Sequence, residues 1–222
     1  VIWATSMVAC GDADGAVTGN TRRFGASLNK IKQVVDVRDG EIMFGLNMVV
    51  HKGKTIFVGD TSVHEYPTSE QMAEMAISTA RVVRLFGFDP KVAFVSHSTF
   101  GQPLTSRTKH IRNAVDILKE KKVDFEFDGD MQPDVALNPE YKDLYPFSKI
   151  VGKANILIMP GQHSAAISYK MMKTLGDTKV IGPLLIGLGL PIEIAPLRSS
   201  TSELINLASI AAYSADVINY KK

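Results

Sequence analysis

Cysteine is nearly absent from this sequence of 222 residues, and charge of neither sign predominates. The single cysteine, Cys10, cannot close an intrachain disulfide, so the fold must depend on its core and suits a reducing compartment. Twenty-five Lys and Arg residues against 23 Asp and Glu residues leave a formal charge of +2. This balance makes neither nucleic acid nor an anionic membrane the expected partner.

The sequence also lacks a long apolar run and a leader peptide. Its most apolar stretch, residues 181–197, is shorter than the ~20 residues that span a bilayer, and glycines and prolines such as Pro191 interrupt it. No basic leader precedes the first apolar residues. We therefore expect a water-soluble protein of the cytoplasm. Because the sequence opens on Val1 in an apolar run, we also expect it to be a piece of a longer polypeptide.

The hydrophobic pattern alternates between short apolar runs and segments with helical spacing. This alternation predicts an α/β fold, in which a largely parallel sheet is flanked by helices. Ligands of such sheets bind at the carboxyl ends of the strands. The predicted strands are residues 7–10, 41–50, 54–59, 91–96, 123–127, 154–159, part of 183–186, and 192–195, and the predicted helices are residues 68–86, 107–120, 164–175 and 201–218.

Two predicted loops are acidic. Residues 11–19 hold Asp12 and Asp14 among glycines, which fits a cation site or a turn whose Asp side chains bond their own backbone. Residues 128–134 hold three aspartates, which fit Mg²⁺, an acid–base pair or a solvated turn beside a helix start. The sequence leaves these alternatives open.

Two further loops carry hydroxyl groups. Residues 96–102 place hydroxyls and a glycine directly after a predicted strand, where such groups can cradle phosphate oxygens. Residues 162–164 contain His and Ser but lack the spacing of a nucleophile elbow, so Ser164 is better interpreted as a helix cap. Ser200 and Glu203 have the spacing of a capping box, which explains Glu203 without chemistry.

Several segments resemble motifs of the phosphate acetyltransferase family, in the same order and over essentially the whole chain. The variety that they resemble most is the acetyltransferase-like domain fused to the C-terminus of large bacterial NADP-dependent malic enzymes. The segments of the family are Asp128-Gly-Asp-Met-Gln-Pro-Asp134, Val151-Gly-Lys-Ala-Asn155-Ile-Leu-Ile-Met-Pro160, Ile167-Ser-Tyr-Lys170 and Gly182-Pro-Leu-Leu-Ile-Gly187-Leu-Gly-Leu-Pro191, and those of the subgroup are Gly11-Asp-Ala-Asp-Gly15, Phe57-Val-Gly-Asp60-Thr-Ser-Val-His64, Ser98-Thr-Phe-Gly101 and Asp134-Val-Ala-Leu-Asn-Pro-Glu140.

The resemblance implies two α/β lobes with a cleft between them, of the phosphotransacetylase and isocitrate dehydrogenase-like type. The first lobe is expected to be discontinuous, at residues 1–39 and 183–222, with its N-terminal part missing. The second lobe is expected at residues 40–182. In this family, acyl-CoA lies in the cleft.

The resemblance also implies catalytic residues that this sequence does not have. Family members transfer acetyl between acetyl phosphate and the CoA thiol with a Ser-Arg pair, an Asp in the next helix and further cations. Aligned on Gly182, Gly187 and Pro191, the Ser-Arg pair falls on Pro196 and Leu197. In the same alignment the Asp falls on Glu203, a further arginine falls on Asn29, and a loop lysine falls on Phe100. Arg198 lies one position beyond the expected arginine, and Arg22 and Arg23 could replace the one lost at Asn29.

The leading hypothesis is a catalytically degenerate domain that binds acetyl-CoA as an effector and controls an attached malic enzyme. NADP and a divalent metal would belong to that enzyme part, and no metal is expected in this chain. A homodimer or larger homo-oligomer is expected. The acyl-CoA cleft is predicted to contain Ser98, Thr99, Gly101, Asn155, Gly161, His163 and Arg198.

Two alternatives remain open at this point. The chain could be a working phosphate acetyltransferase, in which case Arg198 and Glu203 are the candidate catalytic residues. It could instead serve as a dimerising module that never responds to acyl-CoA.

Overall fold

The computed structural model describes residues 1–217 as an α/β fold, which confirms the predicted class. The helices are α1 (Ile2–Cys10), α2 (Phe24–Ile31), α3 (Ser69–Leu85), α4 (Ser106–Lys121), α5 (Pro133–Leu137), α6 (Gln162–Leu175) and α7 (Thr201–Val217), with a 3-10 turn at Pro139–Asp143. The strands are β1 (Ala16–Gly19), β2 (Phe44–His51), β3 (Lys54–Gly59), β4 (Lys91–Val95), β5 (Glu126–Met131), β6 (Ile156–Ile158), β7 (Thr178–Ile186) and β8 (Ile192–Ala195).

Six strands form a large mixed sheet in the order β5-β4-β6-β3-β2-β7. The neighbours β5, β4, β6 and β3 run parallel, whereas β2 is antiparallel to both β3 and β7. The parallel strands are buried on both faces, as the continuous apolar run of β4 predicts. Their carboxyl ends therefore meet at one edge of the sheet, which we call the large-sheet edge.

Helices cover both faces of the large sheet. On one face, α3 and α4 contribute Met72, Met75 and Leu118 to a core that includes Phe44 and Phe57 of the sheet. On the other face, Ala165 of α6 and Val135 and Ala136 of α5 pack against Val58, Ala93 and Met131. Burial of these two apolar faces is what holds strands and helices in layers.

The strands β1 and β8 form a separate parallel pair, which packs with α1, α2 and α7. Leu28 and Ile31 of α2 and Ile192 and Ile194 of β8 belong to the core of this smaller unit. The large sheet extends past the predicted lobe boundary, because β7 continues to Ile186. The division into lobes at residues 1–39, 40–182 and 183–222 otherwise stays a prediction.

The chain passes between the two sheets twice, at residues 32–43 and 187–191. The two crossings lie side by side, since the amide of Arg38 donates to the carbonyl of Gly187 over 2.9 Å and the amide of Gly189 donates to that of Asp36 over 3.0 Å. Gly187 has a φ of 87°, and a Cβ there would lie 2.1 Å from the carbonyl oxygen of Ile42. Only glycine fits such a close backbone approach at positive φ.

The prediction of a strand at residues 7–10 is wrong, because these residues belong to α1. The helix ends at Gly11, whose φ of 82° places it in the left-handed region, and its amide donates to the carbonyl of Val8. This is a common helix ending. A short apolar run does not distinguish a strand from a helix segment, which is the reason for the error.

The predicted strand at residues 123–127 lies several residues further along the chain, at β5. Helix α4 continues to Lys121, and Lys122 makes a left-handed turn before the chain pairs with β4 from Glu126 onward. Asp128 and Asp130 therefore lie within a strand rather than in a loop after it. Strand β1 and helix α2 were not predicted.

Local helix signals were predicted more accurately than strand ends. Thr68 caps α3 in a reciprocal capping box with Gln71, as its sequence predicts. The predicted last helix begins as expected at Thr201, and its predicted end at Ile218 lies outside the described residues. In residues 1–217 no helix is both long and apolar enough to cross a membrane.

Candidate functional site

The hydroxyl-rich loop at residues 96–102 lies at the large-sheet edge, but its polar groups are used within the protein. The buried Ser98 hydroxyl donates to Oδ2 of Asp130, and the Gly101 amide donates to Oδ1 of the same carboxylate over 3.0 Å. The Thr99 hydroxyl accepts from the amide of Gln132 over 3.2 Å. Contact of these hydroxyls with a ligand stays a prediction, and for Ser98 it would require the bond to Asp130 to break.

Phe100, which the sequence resemblance aligns with a loop lysine, belongs to an aromatic cluster. The Phe100 ring centroid lies 5.3 Å from that of Tyr145 and 4.8 Å from that of Phe147. These rings border a groove that also contains Leu144 and Gln102. The groove wall is therefore apolar where a cation would stand.

A second loop at the large-sheet edge is held by Asp60, which follows β3. Its Oδ1 accepts from the amides of Gly45, Ser62 and Val63 at 2.8–3.1 Å. Its Oδ2 accepts from the amide and from the ring Nδ1 of His64, at 2.7 and 2.8 Å. In the sequence, this segment is distinguished only by the family resemblance of residues 57–64. A carboxylate directly after a strand and before small polar residues is a turn signal that could have identified it.

Gly161 and His163 lie at the same edge, at the start of α6. The His163 Nε2 atom lies 3.3 Å from Oε1 of Glu65, and both side chains are exposed. The Ser164 hydroxyl donates to the carbonyl of Gly161 over 2.8 Å, a local bond at the helix start rather than the bond of a nucleophile to a base.

Asn155 lies at the opposite end of the parallel strands. Its Oδ1 accepts from the amide of Lys91, the first residue of β4, and its Nδ2 donates to the carbonyl of Asp89, each over 2.8 Å. The side chain thus joins the amino ends of β4 and β6. The structure does not bring it together with Ser98, Gly161 or His163.

The acidic segments do not converge. Asp12 and Asp14 are exposed beside the end of α1. Asp130 is fully buried, while Asp128 accepts from the amide of Gly129 over 2.9 Å. Across the described part of the chain, no three His, Cys, Asp or Glu side chains are grouped as a metal ion would require.

Arg198 lies at the carboxyl ends of β1 and β8, which we call the small-sheet edge. Its amide donates to the carbonyl of Asn20 over 2.9 Å, and the amide of Asn20 donates to that of Ala195 over 3.1 Å. These bonds hold the loops that follow the two strands against each other. The buried Oδ1 of Asn20 has no hydrogen-bond partner among residues 1–217.

The small-sheet edge is cationic. Arg22, Arg23 and Arg198 are exposed, and their guanidinium groups make no ion pair with any described residue. Helix α2 begins directly after Arg23, and α7 begins at Thr201, so both present their N-terminal amides near this edge. Leu197, which takes the place of the family's arginine, is 54% exposed.

Both carboxylate oxygens of Glu203 accept hydrogen bonds at the small-sheet edge. Its Oε2 accepts from the amide and the hydroxyl of Ser200 at 2.8 and 2.9 Å, so the predicted capping box is present. Its Oε1 accepts from Nζ of Lys173 on α6 over 2.7 Å. The bond from Lys173, followed by that from the Ser200 amide, lowers the pKa of this carboxyl. Lys173 was not predicted as a site residue, and its spacing in α6 gives no signal for this contact.

The predicted site residues are therefore divided among three places. Ser98, Thr99, Gly101, Gly161 and His163 lie at the large-sheet edge, and Asn155 lies at the opposite end of that sheet. Arg198 and Glu203 lie at the small-sheet edge, where Glu203 meets the C-terminal part of α6. Because about ten residues of helix rise ~15 Å, His163 and Lys173 mark distant ends of α6.

Comparison with known proteins gives consistent results at several levels. The phosphate acetyl/butaryl transferase family matches residues 1–212. An NADP-dependent malic enzyme of Rhizobium meliloti (strain 1021) is 46% identical over 213 residues, which are 96% of this chain and 28% of that protein. A phosphate acetyltransferase of Bacillus subtilis (strain 168) is 30% identical over 95% of this chain and 66% of its own length.

A solved structure agrees with the fold. The phosphotransacetylase from Streptococcus pyogenes superposes with a TM-score of 0.91 at 29% identity, over 97% of this chain and 67% of its own. The α/β architecture predicted from the sequence resemblance is thus that of solved phosphotransacetylases. The chain spans less than a third of the malic enzyme relative named above.

Proposed function

Because the chain belongs to the phosphate acetyl/butaryl transferase family, we propose that it is a regulatory domain that binds acetyl-CoA and has lost transferase activity. We further propose that it controls an attached NADP-dependent malic enzyme, which oxidatively decarboxylates malate to pyruvate. The name of the 46% identical relative supports the second proposal. NADP and the divalent metal would be held by that other part of the protein.

The observation that carries the proposal is the state of the small-sheet edge, where cations remain and catalytic groups do not. Proline has no hydroxyl at position 196, and leucine has no charge at position 197. One lost electrostatic donor costs about 3 kcal/mol of transition-state stabilisation, roughly a hundredfold in rate. Arg22, Arg23 and Arg198 still offer guanidinium groups to the phosphates of a CoA molecule.

Glu203 supports the loss of activity in a second way. A general base for a thiol with a pKa near 8.5 has to compete for its proton, and a carboxylate with a lowered pKa is a weak acceptor. Its lone pairs are already engaged by Ser200 and Lys173. Ionised Glu203 acts here as a cap and as a link between α6 and α7.

Control of the attached enzyme requires that acetyl-CoA prefer one arrangement of the two sheets. An effector shifts a conformational equilibrium only by its difference in affinity for the two states. Pyruvate feeds acetyl-CoA formation, so a domain that senses acetyl-CoA would provide feedback on malate oxidation. The small-sheet edge meets α6 of the large unit through the Lys173–Glu203 pair, so a ligand bound beside this pair would lie close to both units.

Calorimetric titration of the chain with acetyl-CoA tests the proposal. We expect binding, and we expect Arg198→Ala to weaken it by about tenfold to a hundredfold, since a charge-assisted bond to phosphate contributes about 1.5–3 kcal/mol. Arg107→Ala is the matched control, because Arg107 is an exposed arginine beside the large-sheet edge. A larger loss for Arg107→Ala would place the ligand at the hydroxyl-rich loop, and the absence of binding would contradict the proposal.

In the full-length protein, acetyl-CoA should change the rate of malate oxidation, followed as NADPH formation. Arg198→Ala should raise the concentration of acetyl-CoA required without changing the rate in its absence. An enzyme that responds identically at all acetyl-CoA concentrations would favour a purely structural role for this domain.

The second candidate is an active phosphate acetyltransferase, which the 30% identical phosphate acetyltransferase and the exposed Arg198 favour. Arg198 and Glu203 would then have to replace the lost groups. Thioester absorbance with acetyl phosphate and CoA distinguishes the two functions. Turnover that Arg198→Ala abolishes would establish the transferase and overturn the regulatory proposal.

A further inference from the structure

Glu193 is a buried carboxyl that the proposed function does not use. It lies in β8, is only 4% exposed, and its Oε2 accepts from the amide of Leu185 over 2.9 Å. Leu185 belongs to β7, the edge strand of the large sheet. The bond therefore joins the small pair of strands to the large sheet. No hydrogen bond of Oε1 occurs within residues 1–217.

A groove between the two units reaches this carboxyl. Its lining includes the apolar side chains of Leu85, Phe86, Leu184 and Ile210, together with the charged side chains of Arg38, Glu41 and Arg81. The Tyr213 hydroxyl, at the α7 side, donates to the carbonyl of Leu85 over 3.0 Å. Glu193 thus lies at a wall where water would have to enter before the two units could separate.

Among residues 1–217, the charged side chains that line the groove beside Glu193 form ion pairs with one another. Glu41 accepts from Arg81 over 2.6 Å and from Arg38 over 3.1 Å. Strand β1 carries no ionisable side chain, and its Thr18 hydroxyl bonds only the backbone carbonyl of Glu193. The ionisable groups on the other packed elements are Lys179 on β7, Lys30 on α2, Arg84, Glu70 and Glu74 on α3, and Glu203, Tyr213 and Asp216 on α7.

Burial raises the pKa of Glu193 to about 8, and no ion pair of this carboxyl occurs within residues 1–217. The Leu185 amide lowers the pKa, but by less than burial raises it. The carboxyl is accordingly mainly neutral at pH 7. An ionised carboxylate that is this deeply buried would be more fully hydrated if the two units moved apart.

We propose that Glu193 is a proton-dependent joint: the neutral carboxyl keeps β8 seated against β7, and its ionisation loosens this contact and weakens acetyl-CoA binding at the small-sheet edge. The second half rests on the proposed function, because it assumes that acetyl-CoA binds where β1 and β8 end. The joint itself rests only on the buried carboxyl, its bond across the two sheets and the groove beside it.

The first test compares urea unfolding of the wild type and Glu193→Gln from about pH 6 to about pH 9. Since the carboxyl has a higher pKa when folded than unfolded, the folded state binds more protons between the two pKa values, and stability falls as pH rises toward 8. The folding equilibrium constant of the wild type should fall relative to that of the variant by up to about tenfold per pH unit.

Glu41→Gln is the matched control, since it makes the same exchange at a paired carboxylate of the same groove. The stability of Glu41→Gln should change with pH at the same slope as that of the wild type. If the stabilities of the wild type and of Glu193→Gln change with pH at the same slope, the proposed joint is overturned. Should Glu193→Gln fail to fold, NMR titration of the carboxyl carbons of the wild type still decides, because the joint requires one glutamate to titrate near pH 8.

Acetyl-CoA affinity measured over the same pH range tests the link to function. The wild type should lose several-fold in affinity on passing above about pH 8, and Glu193→Gln should not. If wild-type stability falls with pH as expected but acetyl-CoA does not bind at any pH, the proposed function is overturned and the joint is supported. Binding with a pH-independent affinity would overturn the coupling between them.

Discussion

The carboxyl edges of the two sheets use polar groups in opposite ways. At the large-sheet edge, Asp60 and Asp130 are fully buried, and loop amides and hydroxyls point inward at them. At the small-sheet edge, arginines point outward, and one buried oxygen, Oδ1 of Asn20, is without a partner among residues 1–217. The first edge therefore uses its polar groups within the protein, whereas the second has guanidinium groups that make no ion pair within residues 1–217.

The hydroxyl-rich loop shows why composition alone is a poor guide to a phosphate site. Hydroxyls after a strand suit either a ligand or a neighbouring carboxylate, and the spacing is the same in both cases. For Ser98 the structure shows such a carboxylate, that of Asp130, which is 32 residues away in sequence. Such long-range partners are absent from any local pattern.

Among the substitutions that test this comparison, Asp60→Ala should cause the largest loss of stability. It removes the acceptor of five hydrogen bonds and leaves buried donors without partners, so we expect a loss of about 3–5 kcal/mol in unfolding free energy. Urea unfolding measures it. Asp60→Asn, which keeps one acceptor oxygen, should lose less. A loss below about 1 kcal/mol for Asp60→Ala would show that this loop is not held by its carboxylate.

Ser98→Ala should have an intermediate effect that falls on stability and not on binding. Removing a buried hydrogen bond to a carboxylate costs about 1.5–3 kcal/mol. Acetyl-CoA affinity should stay within about twofold, as measured by calorimetry. Ser164→Ala, whose hydroxyl bonds a local carbonyl, is the control and should change stability by less than about 0.5 kcal/mol. Lost affinity at unchanged stability would assign Ser98 to the ligand after all.

Lys173→Ala should have the smallest effect on stability, because both partners of its ion pair with Glu203 are partly exposed. We expect a loss of about 0.2–1 kcal/mol that fades with added salt. Since the pair lowers the pKa of Glu203 in the folded state, its contribution is present above the carboxyl's unfolded pKa. It disappears as pH falls through the folded pKa.

Urea unfolding at two pH values and two salt concentrations measures this difference. Lys119→Ala, which removes an exposed pair with Asp116 within one helix, is the control. Both variants should show small, salt-sensitive changes in stability, but only Lys173→Ala should raise the pKa of Glu203. An unchanged pKa of Glu203 would mean that the link between α6 and α7 is not formed in solution.

The features that the sequence predicted are those decided by neighbours along the chain. Thr68 and Gln71, like Ser200 and Glu203, are three residues apart and meet in any helix that starts there. The long apolar runs of β3 and β4 were predicted for the same reason. The start of β5 was not, because the pairing of Lys91 with Glu126 across two strands sets it.

The candidate site was predicted only in part, since its residues are assembled by tertiary packing. The departure at Pro196 and Leu197 was readable from the sequence, and Arg198 does lie at a carboxyl edge of two parallel strands. The contact of Lys173 with Glu203 depends on how α6 lies against α7. Glu193 does carry a signal in the sequence, because a lone carboxylate within a strand of apolar residues has to be paired or neutral.

The paired crossings at residues 32–43 and 187–191 restrict how the molecule can change shape. Because both lie side by side and are tied by backbone bonds between Arg38 and Gly187 and between Asp36 and Gly189, the covalent connections between the two units are confined to one short line. A substituent at Gly187 would push the two segments apart at that line. If a ligand at the small-sheet edge moves the small unit, the motion would be a rotation about these crossings. A substitution that stiffens or loosens the crossings would then change the response of a longer protein to the ligand without contacting the ligand.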